Sequence, residues 1–163
     1  MTHQTLQKQF MQTGAALAAL SVGLGAFAAH LLNDDLPVTE MQTFDTAVRY
    51  QFFHSLAILF MASFLRRIHE EVARKVFTLF ITGIIFFSGS LYLLSTRTLW
   101  IGEGAVWLGI LTPLGGISLI SGWLYLAIKG FRPSDGMNRH PKQQTEEANY
   151  RSEEHTSELQ SQR

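Results

Sequence analysis

Cysteine is absent from the 163 residues, so disulfides and thiolate metal sites are excluded. Charge is scarce: 16% of the residues are Asp, Glu, Lys or Arg, where about 25% is usual for a soluble domain. The formal net charge is zero, which removes the basic footprint that nucleic acid requires, and no nucleic-acid partner is expected. The chain also lacks the local signatures of intramembrane chemistry. There is no HExxH, no GxSxG and no carboxylate pair within an apolar run, so no catalytic residues and no enzyme are expected. Ser88-Gly89-Ser90 with a distant histidine is more simply a hydrogen-bonding group than a nucleophile.

What is abundant is apolar surface. Hydrophobic residues make up 47% of the chain, and four runs carry no formal charge: Thr13–Leu32, Gln51–Leu65, Val76–Thr96 and Ala105–Ile128. Each approaches the roughly 17–25 residues that cross a bilayer. The expected fold class is therefore all-α, a polytopic membrane protein. Four transmembrane helices, near 10–32, 47–65, 76–96 and 105–128, form one compact bundle within residues 1–130. Lys8, Arg66, Arg67, Arg74, Lys75, Lys129, Arg132, Arg139 and Lys142 fall on one side of such a bundle, and only Arg49 and Arg97 on the other. The positive-inside rule then places both termini in the cytoplasm. Trp100 and Trp107 suit the outer interface, Trp123 and Tyr125 the inner one. Lys8 and Ala26-Phe27-Ala28 imitate a cleavable signal, but the apolar run between them exceeds the usual 7–15-residue signal core.

Residues 131–150 lose apolar periodicity and are expected to be a disordered polar tail. Arg151–Ser161, RSEEHTSELQS, resembles codon for codon the in-frame translation of a sequencing-adapter oligonucleotide. Residues 151–163 are therefore expected to be a read-through artefact, and His155 is set aside.

Within the runs, polar and small residues mark the faces that should meet protein rather than lipid. In the first, Ala16, Ala19, Gly23, Ala26 and His30 share one face, while Ser21, Gly25 and Ala29 form a second small stripe. The first helix is therefore expected to sit between two neighbours. Thr39 and Gln42 fit a capping box, predicting a helix start near Thr39 with Met41, Phe44 and Val48 as an amphipathic lead-in. In the second run Ala47, Tyr50, Gln51, His54, Ile58 and Met61 share a face. Arg49 points about 140° from His54 and can pair with Asp45, four residues earlier. Ser88, Tyr92 and Ser95 share a face of the third run, with Gly83 and Ser90 roughly opposite. In the fourth, Pro113 removes a backbone donor beside Gly115-Gly116, so a kink is expected there. Counting from the outer ends, His54, Ser88 and Thr112 lie one to two turns in, roughly 10 Å, with His30 shallower. The candidate polar cluster is thus His30, Tyr50, Gln51, His54, Ser88, Ser90 and Thr112 in the outer half. The candidate packing or kink positions are Gly23, Gly25, Gly89, Pro113, Gly115 and Gly116.

GAFAAHLL (Gly25–Leu32), FDTAVRYQFFHSLAIL (Phe44–Leu59), FFSGSLYLLS (Phe86–Ser95) and LTPLGGISLISGWLYLA (Leu111–Ala127) together resemble the signature stretches of the small membrane family known as domain of unknown function 423, or uncharacterised protein family 0382. The resemblance covers Gly14–Ile128. It implies a four-span bacterial inner-membrane protein, with relatives in mitochondria-bearing organisms and no established activity. The family commonly has Gly at the position of Ala28 and Gln at that of Arg49. The expected function is an uncharacterised integral membrane protein, structural or accessory, whose partners are the lipid bilayer and either a second copy or another membrane protein. One alternative is a small oligomeric transporter or channel with a polar outer vestibule. A second is a metal or haem held by His30 and His54, with Asp45 or Glu103 adding a carboxylate. No HxxxH or ExxH spacing supports that alternative, and no cofactor or metal is expected.

Overall fold

The computed structural model describes residues 3–32, 34–100, 108–130 and 150–151. The chain divides into two units, Met1–Phe131 and Arg132–Arg163. In the second, only Tyr150 and Arg151 are described, so the expectations for residues 131–150 and 151–163 lie almost wholly outside the described residues, as do Glu103 and Trp107.

Among its described residues the first unit is built of helices joined by short turns. Helix α1, His3–Phe27, continues into a π turn, Ala28–Leu32; α2 is Val38–Ser63, followed by a 3₁₀ turn, Leu65–Arg67. Helix α3, Glu70–Gly83, passes through a second π turn, Ile84–Ser88, into α4, Gly89–Ser95, and the short α5 covers Arg97–Trp100. Helix α6 is Leu111–Lys129. Among the described residues, three helices are long and apolar enough to cross a membrane: His3–Leu32, Glu70–Ser95 and Leu108–Lys129. Helix α2 is long enough at 26 residues, but Arg49, Gln51 and His54 lower its apolar character.

Two of the expected boundaries move for local reasons. Helix α2 starts at Val38, with Pro37 at the N-cap and no side-chain cap. Thr39 and Gln42 form no capping box, because the fixed φ of Pro37 already sets the turn and its carbonyl accepts from both Glu40 and Met41. Pro113 is the third residue of α6. A 3₁₀ turn at 108–110 runs directly into α6, so the proline falls where one helical form gives way to the other.

The bundle is a chain of neighbours. Helix α1 lies along α2; α2 also meets α4 and the second π turn; α6 packs against α3 and that π turn. At one end, Leu6 and Phe10 of α1, Met61 and Leu65 near the end of α2, and Val72 and Val76 of α3 belong to one buried cluster, and Phe10 stacks on Phe77 at 4.3 Å. At the other end, Ala28, Leu32, Leu36 and Phe44 form a second cluster, with Tyr92 against it. Helix α1 buries Leu6, Phe10, Gly14 and Ser21. Ala16, Ala19, Gly23, Ala26 and His30 face outward, so the first helix has one extensive neighbour rather than two.

The α3–α6 seam is the closest contact. Leu119 and Gly122 of α6 are buried there together with Gly115, and Ser118 donates to the Leu79 carbonyl at 2.8 Å. A Cβ on Gly115 would collide with the Phe87 backbone nitrogen and lie 2.7 Å from the Phe86 carbonyl carbon. At Gly122 it would lie 2.6 Å from the Phe80 ring. Gly116 is in ordinary contact, 3.7 Å from Phe87, and Gly25 is 3.5 Å from Val48; Gly23 and Gly89 have nothing within 4 Å. Of the five glycines singled out for packing, Gly115 alone requires the absence of a side chain, and Gly83 and Gly122 join it.

Candidate functional site

The buried polar residues begin with the spacing in α2. Ala47, Gln51, His54, Ser55 and Ile58 recur every three or four residues, so one helix face buries all five. Tyr50, expected on that face, is 42% exposed and lays its ring against Phe87 at 4.4 Å between centroids.

Gln51 is the junction. Its Nε2 donates to the Leu17 carbonyl of α1 at 3.0 Å, and its Oε1 accepts from the Tyr92 hydroxyl of α4 at 3.1 Å. Its backbone carbonyl accepts from Ser55 at 2.6 Å. One side chain thus ties three helices. Beside it, Ser21 of α1 donates to the Val48 carbonyl at 2.8 Å.

His54 lies past the midpoint of α2, nearer the end that carries Arg66 and Arg67. Its ring meets Phe80 edge-on at 5.3 Å, and its Nε2 is 3.1 Å from Trp123 Nε1. Indole nitrogen can only donate, so Nε2 accepts. The proton therefore resides on Nδ1, which donates to the Tyr50 carbonyl at 2.7 Å. Both nitrogens of the neutral ring are engaged, leaving no lone pair for a metal.

The third linkage joins α4 to α6: the Ser90 and Thr112 hydroxyls are 2.7 Å apart, and Ser90 also donates to the Phe87 carbonyl. Ser88 is fully buried at the end of the second π turn, and its hydroxyl has no partner among the described residues. His30 is exposed on the first π turn, which directs Ala28 and Leu32 inward instead.

The expected single layer is therefore a set of separate linkages. Gln51 and Tyr92 meet; Ser90 and Thr112 meet; His54 pairs with Trp123 deeper in the bundle, away from His30. Trp123, expected at the inner interface, was not foreseen as its partner, and Tyr92 was recognised only as sharing a face with Ser88. Glu40 and Arg97 were also missed. They form an ion pair at 3.2 Å, with side chains 18% and 28% exposed, joining the start of α2 to α5. The local pair, Arg49 with Asp45, lies at 3.9 Å on the surface. Among the described residues no three His, Asp or Glu side chains converge as a metal site would require.

Comparison with known proteins places this arrangement. Residues 24–116 match the model of a family described as a protein of unknown function (DUF423). The chain belongs to that family. Its relatives include the UPF0382 membrane protein YwdK of Bacillus subtilis strain 168, 38% identical over 123 residues, which are 74% of this chain and 94% of YwdK. A UPF0382 membrane protein of Staphylococcus epidermidis is 40% identical over 121 residues, 74% of this chain and 93% of that protein. The UPF0382 inner membrane protein YgdD of Escherichia coli K12 is 34% identical over 128 residues, 78% of this chain and 93% of YgdD. No solved structure is a significant match. The chain is an integral membrane protein, and the bilayer is its solvent. All seven candidate polar residues fall within the matched family region, whereas Trp123, the donor to His54, lies beyond it.

Proposed function

We propose that the chain crosses the membrane four times, with α2 as the second span and both termini on the cytoplasmic side. What supports α2 as a span is the side it turns outward: Phe53 and Phe60 are 61% and 66% exposed, while Gln51, His54 and Ser55 are buried. That polarity suits lipid outside and hydrogen bonding inside. Charge supports the orientation. Arg66, Arg67, Arg74, Lys75 and Lys129 lie at the end where α2 stops and α3 begins, and Asp34, Asp35, Glu40 and Asp45 at the opposite one. The chain has no native cysteine, so single-cysteine variants report sidedness cleanly. A membrane-impermeant maleimide is expected to label Asp35→Cys in intact cells and Arg67→Cys only after lysis. Labelling of both from one side would remove α2 as a span, and the reverse pattern would invert the orientation.

The function that the geometry supports best is structural or accessory, without catalysis. Ser21, Gln51, His54 and Ser90 join neighbouring helices through hydrogen bonds, each worth about 0.6 kcal/mol on average in membrane bundles. The observation that carries this reading is Gln51, whose amide nitrogen and oxygen both engage neighbouring helices, at Leu17 and Tyr92. The transport reading draws on the Ser88 hydroxyl, buried without a described partner. Proteoliposomes loaded with K⁺, Na⁺ or a pH dye separate the two. Wild type and His54→Ala are expected to leak no faster than empty liposomes. Flux in wild type that His54→Ala abolishes would favour transport instead.

A further inference from the structure

A groove of about 450 Å³ opens between α3 and α6, lined by Arg74, Lys75, Thr78, Leu79 and Tyr125. It lies at the basic end of the bundle. Among the described residues that end carries Lys8, Arg66, Arg67, Arg74, Lys75 and Lys129 against Glu70 and Glu71 alone. The groove has two chemistries. Leu79 and Tyr125 supply apolar lining and Arg74 and Lys75 supply charge, with Lys75 Nζ 5.9 Å from the Tyr125 centroid.

The cations have acidic neighbours one helical turn back. Arg74 donates through Nε and Nη2 to Glu70, at 3.2 and 2.6 Å, with side chains 39% and 36% exposed; Lys75 meets Glu71 at 2.7 Å, and those side chains are 53% and 79% exposed. Such surface pairs are worth about 0–1 kcal/mol, so an incoming phosphate can redirect the ammonium at little cost. A free inorganic anion would use the charge and leave the apolar lining wet. An amphiphile with a negative head and hydrocarbon beneath it satisfies both.

We propose that this groove binds an anionic glycerophospholipid, its headgroup phosphate held at Lys75 and Arg74 and the first carbons of its acyl chain lying on Leu79 and Tyr125. This site rests on the reading that α3 and α6 both span the bilayer with their basic ends at the headgroups. Basic pockets between spans on that side are suited to anionic lipid.

The test is native mass spectrometry of the full chain in detergent. It is titrated with phosphatidylglycerol or, separately, with phosphatidylcholine of identical acyl chains. Phosphatidylglycerol is expected to bind about tenfold more tightly, the scale set by one to two basic groups acting on one anionic head. Lys75→Gln should erase that preference, and Leu79→Trp, which fills the groove without touching a charge, should lower occupancy by both lipids. Lys129→Gln, at the same end but outside the groove, should leave the preference within about twofold. Equal binding of the two lipids by wild type would overturn the proposal. So would a loss in Lys129→Gln as large as in Lys75→Gln, which would mean diffuse attraction. Displacement of the lipid by millimolar glycerol 3-phosphate would overturn it in favour of a soluble-anion site. Sidedness is read separately by the cysteine labelling, so an inverted topology and an absent lipid site give different results.

Discussion

Gly115→Leu is expected to separate α6 from α3 and to lower the unfolding free energy by about 3 kcal/mol or more, the upper range for overpacking. The reason is what the new side chain would strike. A Cβ at this position meets the Phe87 backbone nitrogen and comes within 2.7 Å of the Phe86 carbonyl carbon. Backbone atoms inside a helix cannot rotate aside as a side-chain terminus can, so the helices must part. Separation would also loosen the Ser118 bond to the Leu79 carbonyl and the Ser90–Thr112 pair, which join the same two segments. The adjacent glycine supplies the control. Gly116→Ala meets Phe87 at an ordinary 3.7 Å and should be neutral or stabilising by up to about 1 kcal/mol through the reduced backbone entropy of alanine. Steric-trap unfolding in bicelles or nanodiscs measures both. Equal effects at 115 and 116 would show that the seam is not packed as described.

Gln51→Leu carries the second large effect, a loss of about 1–3 kcal/mol. The substitution removes the donor to the Leu17 carbonyl and the acceptor for the Tyr92 hydroxyl, each worth about 0.6 kcal/mol on average and up to about 1.7. It also leaves the half-buried Tyr92 hydroxyl without its acceptor, and an unpaired polar group costs more than a hydrogen bond gains. Tyr92→Phe should therefore cost less in the Gln51→Leu background than in wild type. A double-mutant cycle read by the same unfolding assay is expected to give a coupling of about 0.6–1.7 kcal/mol. Strict additivity would mean that the two side chains do not act as a pair.

Much of the helical plan was readable because each apolar run lies within, or largely overlaps, one continuous helical segment. The inward direction of Gln51 was readable too, since a polar side chain within an apolar helix has little choice of face. The local pair of Arg49 with Asp45 followed from i, i+4 spacing. Helical periodicity tells which residues share a face, but not which face finds a neighbour. Lipid and protein interior are equally apolar, so a stripe of small residues suits either. Helix α1 carried two such stripes; of the one with Ser21, Gly25 and Ala29, Ser21 is buried and Ala29 exposed, and the one with Gly23 faces outward. Depth was less legible. Depth along α2 was counted from the outer end of a span expected at 47–65, whereas the helix begins at Val38 and carries His54 past its midpoint to Phe80 and Trp123. The π turns were the remaining obstacle. A five-residue repeat at Ile84–Ser88 adds a residue to the turn, so the faces before and after it do not follow from a single α-helical wheel. At Ala28–Leu32 a π turn buries Ala28 and Leu32, while His30 stays on the outward stripe of Ala16, Ala19, Gly23 and Ala26.

The neighbour-by-neighbour packing has a consequence for how the protein is made. Helices α1 and α2 are consecutive in the chain and bury a common face against each other, whereas Leu6 and Phe10 of α1 also need Val72, Val76 and Phe77 of α3. The Gln51 amide can reach the Leu17 carbonyl once α2 is made, while its oxygen still awaits a donor that is synthesised forty-one residues later. Emergence of Tyr92 fills that vacancy, and α6, arriving last, closes onto α3 through the glycine seam. Contacts between sequence neighbours allow packing to follow translation, and Gln51 is the side chain that joins the first two helices to a later one.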